Sequence, residues 1–498
     1  MADGGSRGIA WAGAVNLVGG VSGSVIGLLL AAVVGRALGT DGAGTYFLVV
    51  AVFMIVSNVA ELGADTGLVR YVSAARATGR SVDVPHLVRS ALRPVLLGGV
   101  LVVVLAAAVV RARPELFDGV PPLVVVAAAA LAVLSSLIAI MLSISRGFGD
   151  VVSYPLLQNI ALPVLRLAGV LVVVLAGGGI LSVLTAWMAP VPVVLVLATA
   201  VAVTMTRRRA GSWRPGRARP AEVRRMTGEF WAFSATRGVS AAVEILLEWA
   251  DVLLVGALTS PEEAGIYAVV TRCARAGEVV QQAARIAVGP QISAALARGA
   301  VREAREIYGL VTAAMIWMAW PFFIVLAVFG DAALSVFGDG FDEGATSLAV
   351  LALSMGLATA AGTVQTILLM GGRSSWQLAD KSLALVLNVA LNLALVPQWG
   401  IEGAAVAWAV TIVVDTAVVV YQVQHLMGVR PIGHHLWAAA ALSVSLVGTV
   451  AVAARVVLGS SVPIMLATTA AAGILYLAAS IPLRQRLGLV DLLAHRST

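Results

Sequence analysis

The chain has 498 residues, of which 60% are hydrophobic and only 12% are charged, and its formal net charge is +7 at pH 7. Soluble domains carry about 25% charged residues, so this composition, with a mean hydropathy of +0.97, excludes an ordinary soluble protein and predicts an integral membrane protein. The single cysteine, Cys273, excludes an intrachain disulfide. The only lysine, Lys381, follows Asp380, so no Gly-Lys-Ser or Gly-Lys-Thr loop is present to bind ATP.

Fourteen apolar stretches follow one another along the chain, and each is long enough to cross a bilayer as a helix of about 20 residues. They cover residues 9–35, 45–67, 88–110, 121–145, 153–176, 180–206, 227–258, 264–290, 306–330, 344–369, 376–397, 400–425, 434–457 and 462–482. A membrane β-barrel would instead alternate polar and apolar residues. The sequence therefore predicts an all-α integral membrane protein with about fourteen transmembrane helices.

Arginines are distributed unequally between the two sets of loops. If the N-terminus is cytoplasmic, the inside loops hold 23 of the 33 basic residues and the outside loops hold four. The positive-inside rule then places both termini in the cytoplasm. Because most of the net charge has this topogenic origin, we expect no nucleic-acid partner. The Arg-rich segment 207–226 is expected to be a cytoplasmic linker, with a strip that binds lipid or a partner protein as the alternative.

An internal repeat divides the chain. "GTYFLVVAVF" begins at Gly44 and "GIYAVVTRCA" at Gly265, and "GILSVLTAW" at Gly179 matches "GIEGAAVAW" at Gly400 with the same offset of 221 residues. Six helices, an even number, lie within one offset, so the two copies are expected to be parallel in the membrane. The predicted parts are an N-lobe 1–206, the linker 207–226, a C-lobe 227–428 and a C-terminal part 429–498 with two more helices.

Four short motifs carry a family resemblance. They are "GRALGTDGAGTY" after the first helix, "GALTSPEEAGIY" after the seventh, "VFGDGFDEGATSLAVLAL" before the tenth and "GIEGAAVAWAV" in the twelfth. In these motifs and in its 6 + 6 + 2 helices, the chain resembles the polysaccharide-unit (Wzx-type) flippases of the multidrug/oligosaccharidyl-lipid/polysaccharide (MOP) exporter superfamily. The resemblance implies a MOP/MATE-like fold and a cationic cleft between the lobes, walled largely by the first, second, seventh and eighth helices.

The seventh and eighth helices contain ionisable residues at helical spacing. The residues on the two stripes are Arg237, Glu244, Glu248 and Asp251 in the seventh helix, and Arg272, Arg275, Glu278, Gln282 and Arg285 in the eighth. A charge at the bilayer centre costs about 2.5–3.5 kcal/mol on insertion scales, so eight such groups facing lipid would cost on the order of 20 kcal/mol. This exceeds the roughly 5–15 kcal/mol that keeps a domain folded. Both stripes must therefore face protein or a water-filled cavity.

Residues of opposite charge lie at similar depths if the two helices form a hairpin that turns near Pro261. Asp251 is then level with Arg272, and Glu248 with Arg275. These pairs are expected to be either buried locks between neighbouring helices or part of a site for substrate and for a coupling ion.

Residues of like charge also lie at similar depths in the same hairpin. Arg237 is level with Arg285, and planar guanidinium groups bind phosphate oxygens in pairs, so these two are candidates to hold a lipid pyrophosphate. Glu244 is level with Glu278, and two carboxylates at one depth repel unless they share a proton or a cation. We therefore expect these acids to couple transport to an ion gradient.

Two further sites are expected outside this hairpin. Arg166 lies in the middle of the fifth helix and is a candidate phosphate contact, with a structural partner such as Glu61 as the alternative. Lys381 and Asp415 are level in a hairpin that turns near Gln398, so they are predicted to form a structural ion pair.

The sequence predicts a secondary transporter that flips undecaprenyl-pyrophosphate-linked saccharide units across the bacterial cytoplasmic membrane for surface polysaccharide synthesis. No catalytic residue, metal or cofactor is expected. The expected partners are membrane lipid and the polyprenyl-linked saccharide, with a polysaccharide polymerase as a further candidate, and the chain is expected to be a monomer. The alternatives are a MATE-like antiporter of drug or metabolite cations, and a membrane glycosyltransferase or polymerase, which generally needs a large outside loop that this sequence lacks.

Overall fold

The computed structural model describes residues 3–112, 121–213, 220–430 and 435–488, and in these ranges it contains helices and no strand. The α-helices are α1 Asp3–Ala60, α2 Ala64–Ala77, α3 Val84–Ala112, α4 Pro122–Gly147, α5 Leu162–Leu175, α6 Ile180–Met188, α7 Pro190–Ala210, α8 Pro220–Leu258, α9 Pro261–Arg275, α10 Glu278–Ala297, α11 Val301–Val328, α12 Gly330–Ser335, α13 Ala345–Ala360, α14 Val364–Met370, α15 Ser374–Tyr421, α16 His435–Leu442, α17 Thr449–Leu458 and α18 Val462–Leu483. Short 3₁₀ turns are Ser81–Asp83 and Phe341–Gly344, and π-helical segments are Pro155–Ala161, Gln422–Leu426 and Ser443–Gly448. The predicted all-α class is confirmed.

Two of these helices are sharply bent at glycine. α1 has a non-helical residue at Gly39, with φ 68°, and α15 has one at Gly400, with φ 55°. Positive φ is accessible to glycine at little cost, because it has no Cβ. Each bend separates two of the predicted apolar stretches, so both α1 and α15 contain two of them.

Ten helical stretches in the described residues are long and apolar enough to cross a membrane, judged by their length and composition. Their mean hydropathy is between 1.3 and 2.8. The chain is a multi-pass membrane protein, as its composition predicts. The expected number of fourteen transmembrane helices stays a prediction.

Contacts divide the chain into two units. One comprises Met1–Leu30 and Val49–Trp249, and the other comprises Ala31–Leu48 and Ala250–Thr498. The division falls inside α1 and α8. It therefore differs from the repeat-based boundaries of the predicted lobes, which are drawn from sequence similarity and stay a proposal.

An ion pair anchors the α17–α18 turn to α12 within the second unit. The Arg455 guanidinium donates to both carboxylate oxygens of Asp331, at 2.8 and 3.2 Å, and to the carbonyl of Val328. The Ser460 hydroxyl donates to the same carboxylate at 2.7 Å. Burial acts to raise the pKa of Asp331, but the hydrogen bonds from Arg455 and Ser460 outweigh it and hold the pKa below its ordinary value. Asp331 lies between two candidate spans, outside the membrane-spanning segments.

Replacing Asp331 by asparagine is expected to lower the stability of the purified protein by no more than about 1 kcal/mol, because the pair is partly exposed to solvent. A carboxyl whose pKa is depressed on folding stabilises the protein above its unfolded pKa, and this contribution disappears as the pH falls through the folded pKa. Thermal unfolding of wild type and Asp331→Asn should therefore differ at pH 7 and converge as the pH is lowered below 4. Arg302→Gln, at a pair whose arginine side chain is 89% exposed, serves as the control, and an equal loss in that variant would contradict the assignment.

Candidate functional site

In the first unit, Arg237 and Glu244 of α8 form an ion pair. The Arg237 Nη1 and Nη2 atoms donate to Glu244 Oε1 and Oε2 at 3.3 and 3.4 Å. The two side chains are 39% and 45% exposed. Seven residues span two helical turns, so both side chains lie on one face of α8, as the predicted stripe requires. Depth in a hairpin relates residues of different helices only, so it predicts Glu244 beside Glu278 and Arg237 beside Arg285 and does not predict this contact within α8.

The pair is weak enough to exchange partners. Ion pairs at exposed positions stabilise a protein by about 0–1 kcal/mol, because water solvates both groups well. A guanidinium held this loosely remains available to a better ligand, such as a phosphate that accepts two parallel hydrogen bonds. The arrangement therefore suits anion capture better than a permanent lock.

The same half of α8 packs closely against α2. A Cβ atom at Gly238 would lie 2.7 Å from the carbonyl oxygen of Leu62, and one at Gly63 or Gly67 would overlap atoms of Ser234. These separations are shorter than any real Cβ contact, so there is no room for a side chain and the two backbones touch. Beyond these glycines, Tyr71 Oη donates to the carbonyl of Glu229 at 2.8 Å. We call this set of residues the α2–α8 contact.

Arg166 of α5 lies on an aromatic surface. Its guanidinium carbon is 3.9 Å from the ring centroid of Trp187 and 5.8 Å from that of Phe53. Glu61, the structural partner considered for it, interacts electrostatically with Asp65 and Arg146 instead. Cation–π contact accounts for the position of Arg166, and its role as a phosphate contact stays a prediction.

In the second unit, the predicted eighth helix is interrupted. α9 ends at Arg275 and α10 begins at Glu278. Gly277 lies against the ring of Phe323, which leaves no room for a Cβ atom. The sequence predicted one helix over residues 264–290, whereas the structure has two, α9 and α10. The single stripe expected of residues 272–285 stays a prediction.

Asp251 of α8 is the buried member of the predicted charged set, with 3% exposure. Its carboxylate accepts hydrogen bonds from Tyr267 Oη at 3.3 Å and from Asn392 Nδ2 at 3.1 Å, and it interacts electrostatically with Arg275. Asp251 and Arg272 lie in one unit, and the expected ion pair between them stays a prediction.

Arg272 has different surroundings. Its guanidinium donates to the carbonyl of Ala268 at 2.8 Å and lies 4.1 Å from the ring centroid of Phe47. Equal depth in a hairpin does not fix the direction in which a side chain points around the helix axis. Asp251 points towards α15, whereas Arg272 points towards α1.

Three further residues of the predicted set are exposed, whereas Arg275 is partly buried. Glu248 lies on α8, Glu278 is the first residue of α10, and Arg285 lies two turns further along α10. All three side chains are accessible to a ligand or to solvent. Whether they pair as the sequence predicted stays a proposal.

A second close contact, between α1 and α9, joins the two copies of the internal repeat. A Cβ atom at Gly265 would lie 2.7 Å from the backbone nitrogen of Gly44, and one at Gly44 would overlap the carbonyl of Pro261. Next to these glycines, Thr40 Oγ1 donates to Glu262 Oε1 at 2.8 Å. We call these residues the α1–α9 contact. Gly44 and Gly265 are separated by the repeat offset of 221 residues, so the repeat is the signal in the sequence that relates them.

The predicted pair between Lys381 and Asp415 is present in the second unit. Lys381 Nζ donates to Asp415 Oδ2 at 2.7 Å, and the two side chains are 26% and 7% exposed. The prediction from equal depth holds here because α15 folds back at Gly400 into a regular hairpin.

Comparison with known proteins gives a consistent family. The model of a family described as polysaccharide biosynthesis protein matches residues 11–295. A probable low-salt glycan biosynthesis flippase, Agl15, of Haloferax volcanii is 25% identical over 190 residues, which cover 36% of this chain and 39% of that protein. The match thus spans well under half of the length of this curated relative.

Two solved structures share the fold. The lipid II flippase MurJ in an inward closed conformation is 10% identical, with a TM-score of 0.69 over 93% of this chain and 97% of that chain. An inward-facing multidrug resistance MATE family transporter of the MOP superfamily is 13% identical, with a TM-score of 0.66 over 82% and 94%. The predicted MOP/MATE-like fold is therefore confirmed. At sequence identities this low, the similarity shows a shared fold and nothing about function.

Proposed function

The chain belongs to the polysaccharide biosynthesis protein family, and from this premise we propose that it flips lipid-linked oligosaccharides across the bacterial cytoplasmic membrane. The proposed substrate is a saccharide unit on undecaprenyl pyrophosphate, delivered to surface polysaccharide synthesis. The observation that supports this site best is the half-exposed Arg237, a guanidinium in a 39-residue membrane helix whose ion pair with Glu244 can be exchanged.

The chemistry of the substrate explains why such arginines are useful. A pyrophosphate is highly charged and cannot enter hydrocarbon without compensating groups, whereas the polyprenyl tail can stay in the bilayer throughout. On arrival of the headgroup, Arg237 exchanges the Glu244 carboxylate for phosphate oxygens, which accept stronger, paired hydrogen bonds. Arg285, Arg272, Arg275 and Arg166 are the further cationic groups that we propose for the pyrophosphate and the adjoining sugars.

Movement of the headgroup requires access to alternate between the two sides. In the proposed orientation the α1–α9 contact lies on the outer side and the α2–α8 contact on the cytoplasmic side. Glycine backbones meet in both contacts, so that part of each interface separates without pulling long side chains from a packed core. We propose that the two contacts open in turn, in the manner of rocking transporters built of two similar halves.

The released carboxylate offers a route for coupling to an ion gradient. When Arg237 turns to a phosphate, Glu244 loses its counter-ion and gains affinity for a proton or a cation. Glu278, Glu248 and Asp251 are the other acids proposed for coupling. The protein is proposed to act as a monomer with both termini in the cytoplasm, and a polysaccharide polymerase is a candidate partner.

Reconstitution tests the proposed activity against its alternatives. Purified protein in proteoliposomes should move a fluorescent polyprenyl-pyrophosphate oligosaccharide from the inner to the outer leaflet, where a membrane-impermeant quencher reaches it. Protein-free vesicles give the background rate. Uptake of organic cations without lipid flipping would favour the drug or metabolite antiporter, and a change in the mass of the saccharide would favour a glycosyltransferase or polymerase.

A further inference from the structure

A second group of polar side chains is buried in the second unit, on helices that the proposed substrate site does not use. It consists of Gln365 of α14, Asp380 and Lys381 near the start of α15, Asp415 near its end, and Gln422 in the π-helical segment that follows. We call it the Asp380–Asp415 cluster. Asp380 and Asp415 are only 7% and 8% exposed, so both carboxylates are removed from water.

Three hydrogen bonds join the residues of the cluster. Lys381 Nζ and Gln365 Nε2 both donate to Asp415 Oδ2, at 2.7 and 3.2 Å, and Gln422 Nε2 donates to Asp380 Oδ1 at 2.8 Å. Turning either amide round would place a carbonyl oxygen against a carboxylate, which is repulsive. Each amide is therefore fixed with its nitrogen towards the acid and its oxygen elsewhere.

Four oxygen atoms of the cluster then lack a donor. Asp380 Oδ2, Asp415 Oδ1, Gln365 Oε1 and Gln422 Oε1 are buried without a hydrogen-bond partner among the described residues. Buried acceptors of this kind are rare in folded proteins, since each gives up its hydrogen bond to water. The charged groups that interact with Asp380 are Asp415 and Lys381, so the three together have a net charge of −1.

We propose that the Asp380–Asp415 cluster binds one monovalent metal cation, with Na⁺ as the ligand to be tested. Carboxylate and amide oxygens are the ligands that hard cations prefer, and one positive charge neutralises the cluster. A single bound proton would supply one hydrogen-bond donor for the four acceptor oxygens. A divalent ion would leave an excess of positive charge beside the Lys381 ammonium group, which therefore selects for single charge.

The cation site does not depend on the proposed flipping activity, and a binding experiment on purified protein tests it. Thermal unfolding is followed while Na⁺ replaces N-methyl-D-glucamine at constant ionic strength and pH 7. A ligand that binds only the folded state raises the unfolding temperature with its concentration, so the midpoint should rise with Na⁺ and saturate. Asp380→Asn and Asp415→Asn should lose this Na⁺ dependence, whereas Asp331→Asn, at an acid outside the cluster, should keep it.

Lys381→Gln tests whether the charge of the cluster determines which ion binds. Removing the ammonium group leaves a net charge of −2, so the variant is expected to bind Na⁺ about tenfold more tightly and to respond to Ca²⁺ as well, in contrast to wild type. Gln422→Leu keeps both carboxylates and should weaken Na⁺ binding. It provides the test if the aspartate variants fail to fold. No Na⁺ response in wild type, an undiminished response in Asp380→Asn, or a response to pH alone would each overturn the proposal.

Discussion

The double variant Arg237→Gln with Arg285→Gln is expected to flip lipid-linked oligosaccharide at least about 100-fold more slowly than wild type. Hydrogen bonds to charged groups contribute about 1.5–3 kcal/mol each, so two lost arginine contacts remove about 3–6 kcal/mol. At about 1.4 kcal/mol per tenfold change, this corresponds to a loss of about two to four orders of magnitude. The measurement is the initial flipping rate in proteoliposomes that contain equal amounts of each protein.

Two further variants separate substrate capture from folding. Arg302→Gln removes an arginine whose side chain is 89% exposed and pairs with Glu306, so its flipping rate should equal that of wild type. Glu244→Gln frees Arg237 from its carboxylate partner, and it should bind the pyrophosphate headgroup more tightly while its flipping rate loses its dependence on pH or ion gradient. Wild-type flipping in the double variant would show that the headgroup binds elsewhere, even if the family assignment holds.

Sequence alone predicted the fold well because the bilayer imposes a simple rule. Every apolar stretch must satisfy its backbone hydrogen bonds internally, so it is a helix wherever it spans. Hairpin arithmetic also placed Lys381 opposite Asp415, since Gly400 permits a tight turn between two regular helical arms. Both inferences depend on local geometry, which the sequence encodes directly.

The candidate site was harder to predict because it depends on contacts between distant helices. The break before Glu278 lies at Gly277, which packs against Phe323, and a single glycine within a helical pattern does not by itself predict a break. Asp251 and Arg272, which the sequence predicts at one depth, contact Asn392 and Phe47, respectively. Depth follows from counting residues, whereas direction around the helix axis follows from the packing of several helices together.

The glycines of the α1–α9 contact bear on the alternating access that we propose. The backbones meet at Gly44 and Gly265, so even a methyl group there must push the two helices apart. Overpacking of this kind costs about 1–3 kcal/mol, which shifts a two-state equilibrium by about 5- to 150-fold. In the proposed cycle, a protein that cannot close this contact cannot return to the state that accepts substrate from the other side.

Gly44→Ala is therefore expected to slow flipping at least about tenfold and to leave the α1–α9 contact open. Gly27→Ala is the matched control, because Gly27 lies in the same helix with no atom within 4 Å of an added Cβ, and its rate should be unchanged. Opening is measured with Ala43→Cys in a Cys273→Ser background, since Ala43 is fully buried and a membrane-impermeant maleimide should label it only when the contact separates. Equal labelling and equal flipping in the Gly44→Ala and Gly27→Ala proteins would mean that the α1–α9 contact is static and that access alternates at another part of the molecule.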